Sequence, residues 1–242
     1  SGLGSYEMSR FRYKEALEYF AEARDPAGYS AAFWYVRYEW LQRNFTALFF
    51  GVVAGGWGLM FLFRRRKAIL ARLPRHPLLS RWGRELADGF YLMFHPYDGF
   101  YRLKERKISF TVVLLLVLAA VAAKAYSLFG TGLAARPQDP AAANLPMELG
   151  LVAAPWATWV VANYLVSAVK GGEGRFREIV QASAYALLPY TILTVAVTLV
   201  SNALVLEEWV VIDLMNQAMW IWTALLFFVM TQVTHNFEFV ET

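Results

Sequence analysis

Cysteine is absent from this 242-residue chain. That excludes disulfides, thiolate metal sites and a cysteine nucleophile, although it does not fix the compartment. Histidine is scarce: His76, His95 and His235 are the three, and none has a second ligand at metal-binding spacing such as i, i+4 on one helix. Neither a Gly-x-Ser-x-Gly elbow nor a His-Glu-x-x-His pair occurs, so nucleophilic and zinc-dependent hydrolysis have no foothold. Lys170-Gly171-Gly172-Glu173-Gly174 is glycine-rich but lacks the Gly-Lys-Ser/Thr ending of a phosphate loop, and a tight turn between two spans explains it. No catalytic residue, metal site or cofactor is expected. An initiator methionine is missing too, and Ser1-Gly-Leu-Gly resembles neither a signal nor a transit peptide. Either the start was processed away or these residues are the ordered end of a longer polypeptide; the second is expected.

What the chain has in excess is apolar surface. It is 58% hydrophobic and 17% aromatic, with a mean hydropathy of +0.36, where a soluble domain sits near about 45–50% apolar. The excess lies in runs of roughly twenty residues at 45–63, 108–129, 149–169, 182–201 and 214–233, the length at which a helix crosses the hydrocarbon core. The expected fold class is all-α: a polytopic integral membrane helical bundle with five transmembrane helices.

Charge supplies the orientation. The stretch 64–107 opens with Arg64-Arg65-Arg66-Lys67 and closes with Arg102-Leu-Lys104-Glu-Arg106-Lys107. Arg72, Arg75, Arg81 and Arg84 lie between, against Glu85, Asp88, Asp98 and Glu105. Loop 130–148 has one basic residue, Arg136; loop 170–178 carries Lys170, Arg175 and Arg177; loop 202–213 has none. Loops rich in Lys and Arg stay in the cytoplasm, so the alternation puts the N-terminus out and the C-terminus in. The net charge of +4 therefore borders membrane spans and points to lipid rather than nucleic acid. Arg64, Arg65, Arg66, Lys67, Arg81 and Arg84 are expected to contact anionic headgroups.

Four segments follow: 1–44 outside as a helical hairpin, 45–63 as the first span, 64–107 as a basic cytoplasmic segment, and 108–242 as a four-helix membrane domain. In the first segment, Tyr13, Ala16, Leu17, Phe20 and Ala23 share one helix face, Asp25-Pro26-Ala-Gly28 breaks that helix, and a second amphipathic helix starts near Ser30. In the basic segment, Leu78, Leu79, Trp82, Leu86 and Phe90 form one apolar face opposite Arg81, Arg84, Glu85 and Asp88, as in a helix lying in the interface. Within the spans, Gly51-x-x-x-Gly55 and the alanines Ala119, Ala120, Ala122 and Ala123 offer close-packing surfaces for partner helices, with Gly51, Gly55, Ala119 and Ala123 as candidate contacts. Lys124 is expected to snorkel to the outer end of its span. Asn163, Asn216, Gln217 and Gln232 are candidates for interhelical hydrogen bonds. Pro189 should kink its helix, and with Ser183, Tyr185, Tyr190 and Thr191 it could line a polar cavity.

Two resemblances add to this. Tyr13-x-x-Ala16-Leu17-x-x-Phe20-x-x-Ala23-x-Asp25-Pro26 resembles the second helix of a tetratricopeptide repeat and its closing turn, with the proline about two residues early; a lone repeat cannot bury its face, so it implies stacking on further repeats. His95-Pro96-x-x-Gly99-Phe100-x-x-Leu103-Lys104, then Lys170-Gly171-Gly172-x-Gly174-x-Phe176-x-Glu178 with Ala184-Tyr185-x-x-x-Pro189-Tyr190, then Trp220-x-Trp222 resemble in order and spacing the Yip domain family, small polytopic membrane proteins named for binding Ypt/Rab GTPases in eukaryotes and common in bacteria. The resemblance covers roughly 92–235 and marks Pro96, Gly99, Phe100, Lys104, Gly171, Gly172, Gly174, Tyr185 and Pro189. It implies membrane organisation or partner recruitment rather than catalysis. The added span and external hairpin depart from the eukaryotic pattern and imply a bacterial member fused to an extracytoplasmic region. The expected function is a non-enzymatic anchor or accessory subunit of the bacterial cytoplasmic (inner) membrane, joining helical repeats and their extracytoplasmic partners to other integral membrane proteins, for example a solute (ABC-type) uptake complex. The alternative is a small transporter or lipid-handling protein with a polar cavity near Pro189 and Asn163.

Overall fold

A computed structural model of the chain describes residues 1–72, 77–106, 108–135, 143–240 and 242. The described residues are helical throughout, with turns between, and fall into two compact units, Ser1–Leu79 and Ser80–Thr242.

The first unit holds α1 (Gly2–Ser9), α2 (Tyr13–Glu22) and α3 (Pro26–Arg72). Strong helix formers fill α2, and the chain leaves it through Arg24 in the left-handed region at φ 49°. Asp25 then starts α3: its carboxylate accepts the Gly28 N–H at 3.0 Å, while Pro26, whose missing N–H costs nothing there, opens the helix. Ala16, Phe20 and Ala32 are buried together. The Phe20 ring lies against both Gly4 and Gly28, where a Cβ would come within 2.8 and 2.3 Å of it. Tyr13 stacks on Tyr35 at 4.3 Å, adding a second tie between α2 and α3. The expected amphipathic helix from Ser30 and the expected span 45–63 are thus one continuous helix, running through the boundary at residue 44. Along it Gly51 and Gly55 are exposed, and so is Arg64 at its basic end. Arg65, Arg66 and Lys67 continue the helix, but their side chains fall outside the described parts, as do His76 and Arg136.

The second unit contains α4 from Ser80 onward (Pro77–Phe94), α5 (Pro96–Glu105), α6 (Phe110–Gly130), α7 (Leu145–Val169), α8 (Phe176–Ala186), α9 (Leu188–Ser201) and α10 (Trp209–His235). Among the described residues four helical stretches are long and apolar enough to cross a membrane: Phe110–Gly130, Leu145–Val169, Phe176–Ser201 and Leu206–His235. The third is a broken span. Its break falls at Leu187, and Pro189 sits in the first turn of α9, where its ring disrupts no helical hydrogen bond. α8 is the centre of the unit: Ile179 and every residue from Gln181 to Ala186 are buried. It packs on α5, α6, α7 and α10, and α6 and α10 each pack on α9. By contrast α7 buries only Val160 and Ser167.

One polar residue is not where periodicity placed it. Glu85 does not share a solvated face with Arg81, Arg84 and Asp88; it is buried at 7% exposure. Its carboxylate accepts from Arg81 Nε at 2.9 Å and from the Ser109 N–H at 3.3 Å, so it satisfies a donor at the start of α6. The face of α4 that docks is Glu85, Gly89, Leu92 and Met93, whereas Leu86 and Phe90 remain exposed.

The Phe20 contacts set the first stability test. Gly28→Val should destabilise the first unit by about 1–3 kcal/mol through overpacking, and Phe20→Ala by about 3–5 kcal/mol through the cavity it leaves. Limited proteolysis of the 1–44 region checks both; native-like resistance in both variants would show that the Phe20 contacts do not hold the unit together.

Candidate functional site

The sequence motifs converge at one end of the four-span bundle. α6 begins there, α7 ends there, and the hairpin 170–175 joins α7 to α8 there. His235, the last residue of α10, is at the centre, only 2% exposed. Its Nε2 lies 2.8 Å from Asn163 Oδ1 on α7, and its Nδ1 accepts the Gly174 N–H at 3.3 Å. Asn163 Nδ2 donates to Thr231 Oγ1 at 2.9 Å, and that hydroxyl donates to the Phe227 carbonyl at 2.9 Å. The chain of bonds is directional. It is complete with a neutral ring carrying its proton on Nε2, because Nδ1 must accept from a backbone amide.

The glycines are explained by this ring. Gly171 takes φ +78° to turn the chain. A Cβ on Gly172 would stand 2.8 Å from His235 Nδ1, and one on Gly174 would stand 2.6 Å from Cε1. α10 stops at Asn236, which adopts the left-handed conformation and lets the Phe237 N–H reach the Gln232 carbonyl at 3.1 Å. The first motif meets the same end. Pro96 opens α5, and Gly99 lets α5 approach α4, since a Cβ there would be 2.7 Å from Leu92 Cα. Phe100 is buried, Lys104 Nζ donates to the Val233 carbonyl at 3.3 Å, and Tyr97 donates to Gln232 at 2.9 Å. Tyr185 crosses the core to donate to the Glu85 carbonyl at 3.0 Å, and Trp222 Nε1 donates to the Met93 carbonyl at 3.2 Å. Outside the spans, Tyr91 bonds Asp98 at 2.7 Å; that bond holds the Asp98 carboxyl below its ordinary range and the Tyr91 phenol above its own.

Other expected residues are dispersed. Ala123 and Ala120 are buried inside the bundle, whereas Ala119 and Ala122 face outward. Arg81 and Arg84 are exposed. Lys124 does reach the far end of its span, but there it pairs with Glu148 at 3.1 Å instead of snorkelling to solvent alone, because α7 begins beside it. Among the described residues no cluster of three or more His, Asp or Glu is placed to hold a metal ion.

Sequence reasoning missed two features. His235 looked like a histidine without a partner because its partners are remote in sequence, Asn163 by 72 positions; an in-span asparagine and a span-ending histidine were the available signal. The second is a groove of about 810 Å³ between α7 and α10, helices joined by the Asn163 bonds to His235 and Thr231. Pro155, Trp156 and Trp159 line one wall, Trp220, Ala224 and Phe227 the other, with Leu187 and Tyr190 behind. It takes in Asn163 and Tyr190 of the expected polar cavity, but its walls are chiefly aromatic and aliphatic, and Pro189 is buried and does not line it. Thr223 also lines it, with a buried Oγ1 that has no hydrogen-bond partner.

Two outcomes follow. His235→Phe keeps the ring but strands the Gly174 amide, so hydrogen exchange across 170–175 should accelerate about 10- to 100-fold, equivalent to roughly 1–3 kcal/mol; unchanged exchange would leave the ring without a fastening role. Thr223→Val removes an unsatisfied buried hydroxyl at nearly constant volume and should raise melting stability in detergent by up to about 1–2 kcal/mol; a loss of that size would show that the hydroxyl is satisfied in the membrane protein.

Comparison with known proteins finds the Yip1 domain at residues 90–241, well over half of the chain. Neither curated proteins nor solved structures gave a match. The matched stretch begins in α4 and ends just past His235 and Phe237, so it takes in the buried imidazole, the glycine hairpin, the Gly99 approach and the broken span, and on that ground the chain belongs to the Yip1 domain family.

Proposed function

We propose that this protein is a non-enzymatic membrane anchor or accessory subunit that ties an extracytoplasmic helical-repeat unit to other integral membrane proteins. The Yip1 family is not a known enzyme family, and the functional-looking residues of the bundle are spent on fastening its own elements. The observation that carries the reading is α3. From Phe45 to Phe61 its described apolar side chains are exposed, and Gly51, Gly55, Gly56 and Gly58 meet no neighbour within their own unit. Such a surface is stable only against lipid or other helices, and Gly51-x-x-x-Gly55 is a face on which another helix approaches closely.

In this reading 45–63 is a fifth span, the N-terminus is outside and the C-terminus inside. Support comes from the uneven charge at the two ends of the bundle. Lys170, Arg175 and Arg177 stand at the hairpin end, against Glu173 and Glu178; Glu148, Glu207, Glu208 and Asp213 stand at the other, with Lys124 their one cation among the described residues. The setting is a bacterial cytoplasmic membrane, with a solute-uptake complex as the candidate partner. The tetratricopeptide-like hairpin, whose Ala16 and Phe20 form its core, would recruit extracytoplasmic proteins once stacked on further repeats.

The 242 residues hold no cysteine, so a thiol introduced among them is the only one they carry. In the full-length protein, Gly55→Cys should cross-link to one discrete membrane protein, whereas Val53→Cys on the opposite face should not. With a membrane-impermeant maleimide, Ser5→Cys should label from outside and Arg177→Cys only after lysis. Equal cross-linking from both faces, or the reverse labelling pattern, would overturn the proposal.

A further inference from the structure

His235 is a buried titratable group that the anchor reading leaves unused. We infer that it is a proton-operated latch: the neutral ring holds the hairpin 170–175 against α10, and a second ring proton releases it.

Two successive amides make the closed latch. Glu173 N–H donates to the His235 carbonyl at 3.4 Å, and Gly174 N–H donates to Nδ1 of the same residue at 3.3 Å. Across the ring, Nε2 lies 2.8 Å from Asn163 Oδ1. The Asn163 amide is oriented by its other end, since Nδ2 donates to Thr231 Oγ1. A carboxamide oxygen can only accept, so the first ring proton sits on Nε2 and a second has only Nδ1 to take. There it meets the Gly174 N–H, donor against donor, at a ring only 2% exposed. The closed hairpin and the charged ring are therefore incompatible.

The ring cannot evade this by turning in place. A Cβ on Gly172 or Gly174 would stand 2.8 or 2.6 Å from ring atoms, and Phe237 stacks on the ring at 5.3 Å. The hairpin is the part that can yield. Gly171, Gly172 and Gly174 give its backbone freedom that other residues lack, and it joins two helices that keep their own bundle contacts.

The surrounding charges are mixed. Lys104 on α5 and Glu178 on α8 act on the ring with opposite sign. Arg177, also on α8, is engaged by Gln181 and the Ile108 carbonyl. The hairpin adds Glu173 and Arg175, the end of α7 adds Lys170, and the segment after α10 adds Glu238, all exposed. From α7 itself come Asn163 and Ser167, both neutral. The hydrogen-bond pattern, and not a single neighbouring charge, sets the direction of the switch. That direction is the same whichever side of the membrane the hairpin occupies, so the latch stands apart from the anchor reading.

The sign follows from linkage. A proton that binds the open form and not the closed one leaves closure intact above the free ring's ordinary value of about 6.5, and favours opening tenfold for each pH unit below it.

The test is hydrogen exchange of the full-length protein between pH 8 and pH 5, each rate divided by the intrinsic rate at that pH. Protection at Glu173 and Gly174 should fall about 30-fold across this range, while α6 and α9 keep theirs. His235→Phe should leave these amides poorly protected at both ends of the range. Glu178→Gln, which removes the nearby carboxylate but can still accept the Arg175 N–H, should keep the full pH response. Helical content and elution volume matched to the native protein show that each variant is folded, and the native series stands without them. Constant protection in the native protein overturns the latch, as does a fall shared by α6 and α9, which is acid unfolding. A fall that survives in His235→Phe, or disappears in Glu178→Gln, assigns the response to a carboxylate and overturns the ring as its origin.

Discussion

The neutral imidazole of His235 has one donor and one acceptor, and both are committed to other elements, the donor to Asn163 and the acceptor to the Gly174 amide. At 2% exposure such a group cannot fall back on water, so each bond fixes the position of its partner. The hairpin must approach the ring more closely than any Cβ allows, and so Gly172 and Gly174 are glycine. α7 must present Asn163 at one depth, and α10 must end where Asn236 turns back. The glycine motif is therefore the shape of the space around one ring. Lys104, bonded to the Val233 carbonyl two residues earlier, extends the same fastening to α5.

A second knot, between α4 and the broken span, depends on small side chains. Ala182, Ser183, Ala184 and Ala186 let α8 run through the middle of the unit, and Tyr185 spends its length crossing to the Glu85 carbonyl. Glu85 in turn satisfies the start of α6, beside Arg177, which donates to the Ile108 carbonyl at 3.0 Å. Breaking the span at Leu187 frees backbone groups, which is tolerated because the break lies inside the bundle and not against lipid. Trp156, donating to Ser183 at 3.1 Å, ties the poorly buried α7 to this same centre.

Much of this architecture could be read from local pattern. Runs of apolar residues located the four bundle spans, the first two to within a few residues, but the third and fourth start earlier, because Arg177 and Glu178 at the head of one and Glu207, Glu208 and Asp213 near the head of the other looked like loop. Pro96 stands at the start of α5 and Pro189 in the first turn of α9, beside the break at Leu187, whereas Gly99 lies within α5, where it lets α4 approach. What local pattern could not carry was partnership. Periodicity put Glu85 on a polar face because its burial depends on Ser109, 24 positions away. It gave Lys124 no anion, because Glu148 arrives only when α7 folds back. The groove was least legible of all: α7 packs chiefly on α6 and α8 and meets α10 through Asn163 and Trp159, and no property of a single helix states how fully it will pack on each neighbour.

The two units solve burial differently, and α3 is where the difference is sharpest. Its first turns take part in a water-type core, with Phe20 wedged between glycines and Ala32 closed over it. Its later turns are apolar all round, which a helix tolerates only in lipid or among other helices. Because no break separates the two parts, its 47 residues form a rod of about 70 Å. A load on the Phe20 core is then carried into the apolar run without a hinge, and a helix docked on Gly51 and Gly55 would hold that core at a fixed height and rotation. A flexible linker would tether a domain equally well but would orient nothing. Continuity of the helix would therefore let the proposed anchor orient, and not merely tether, the unit at its start.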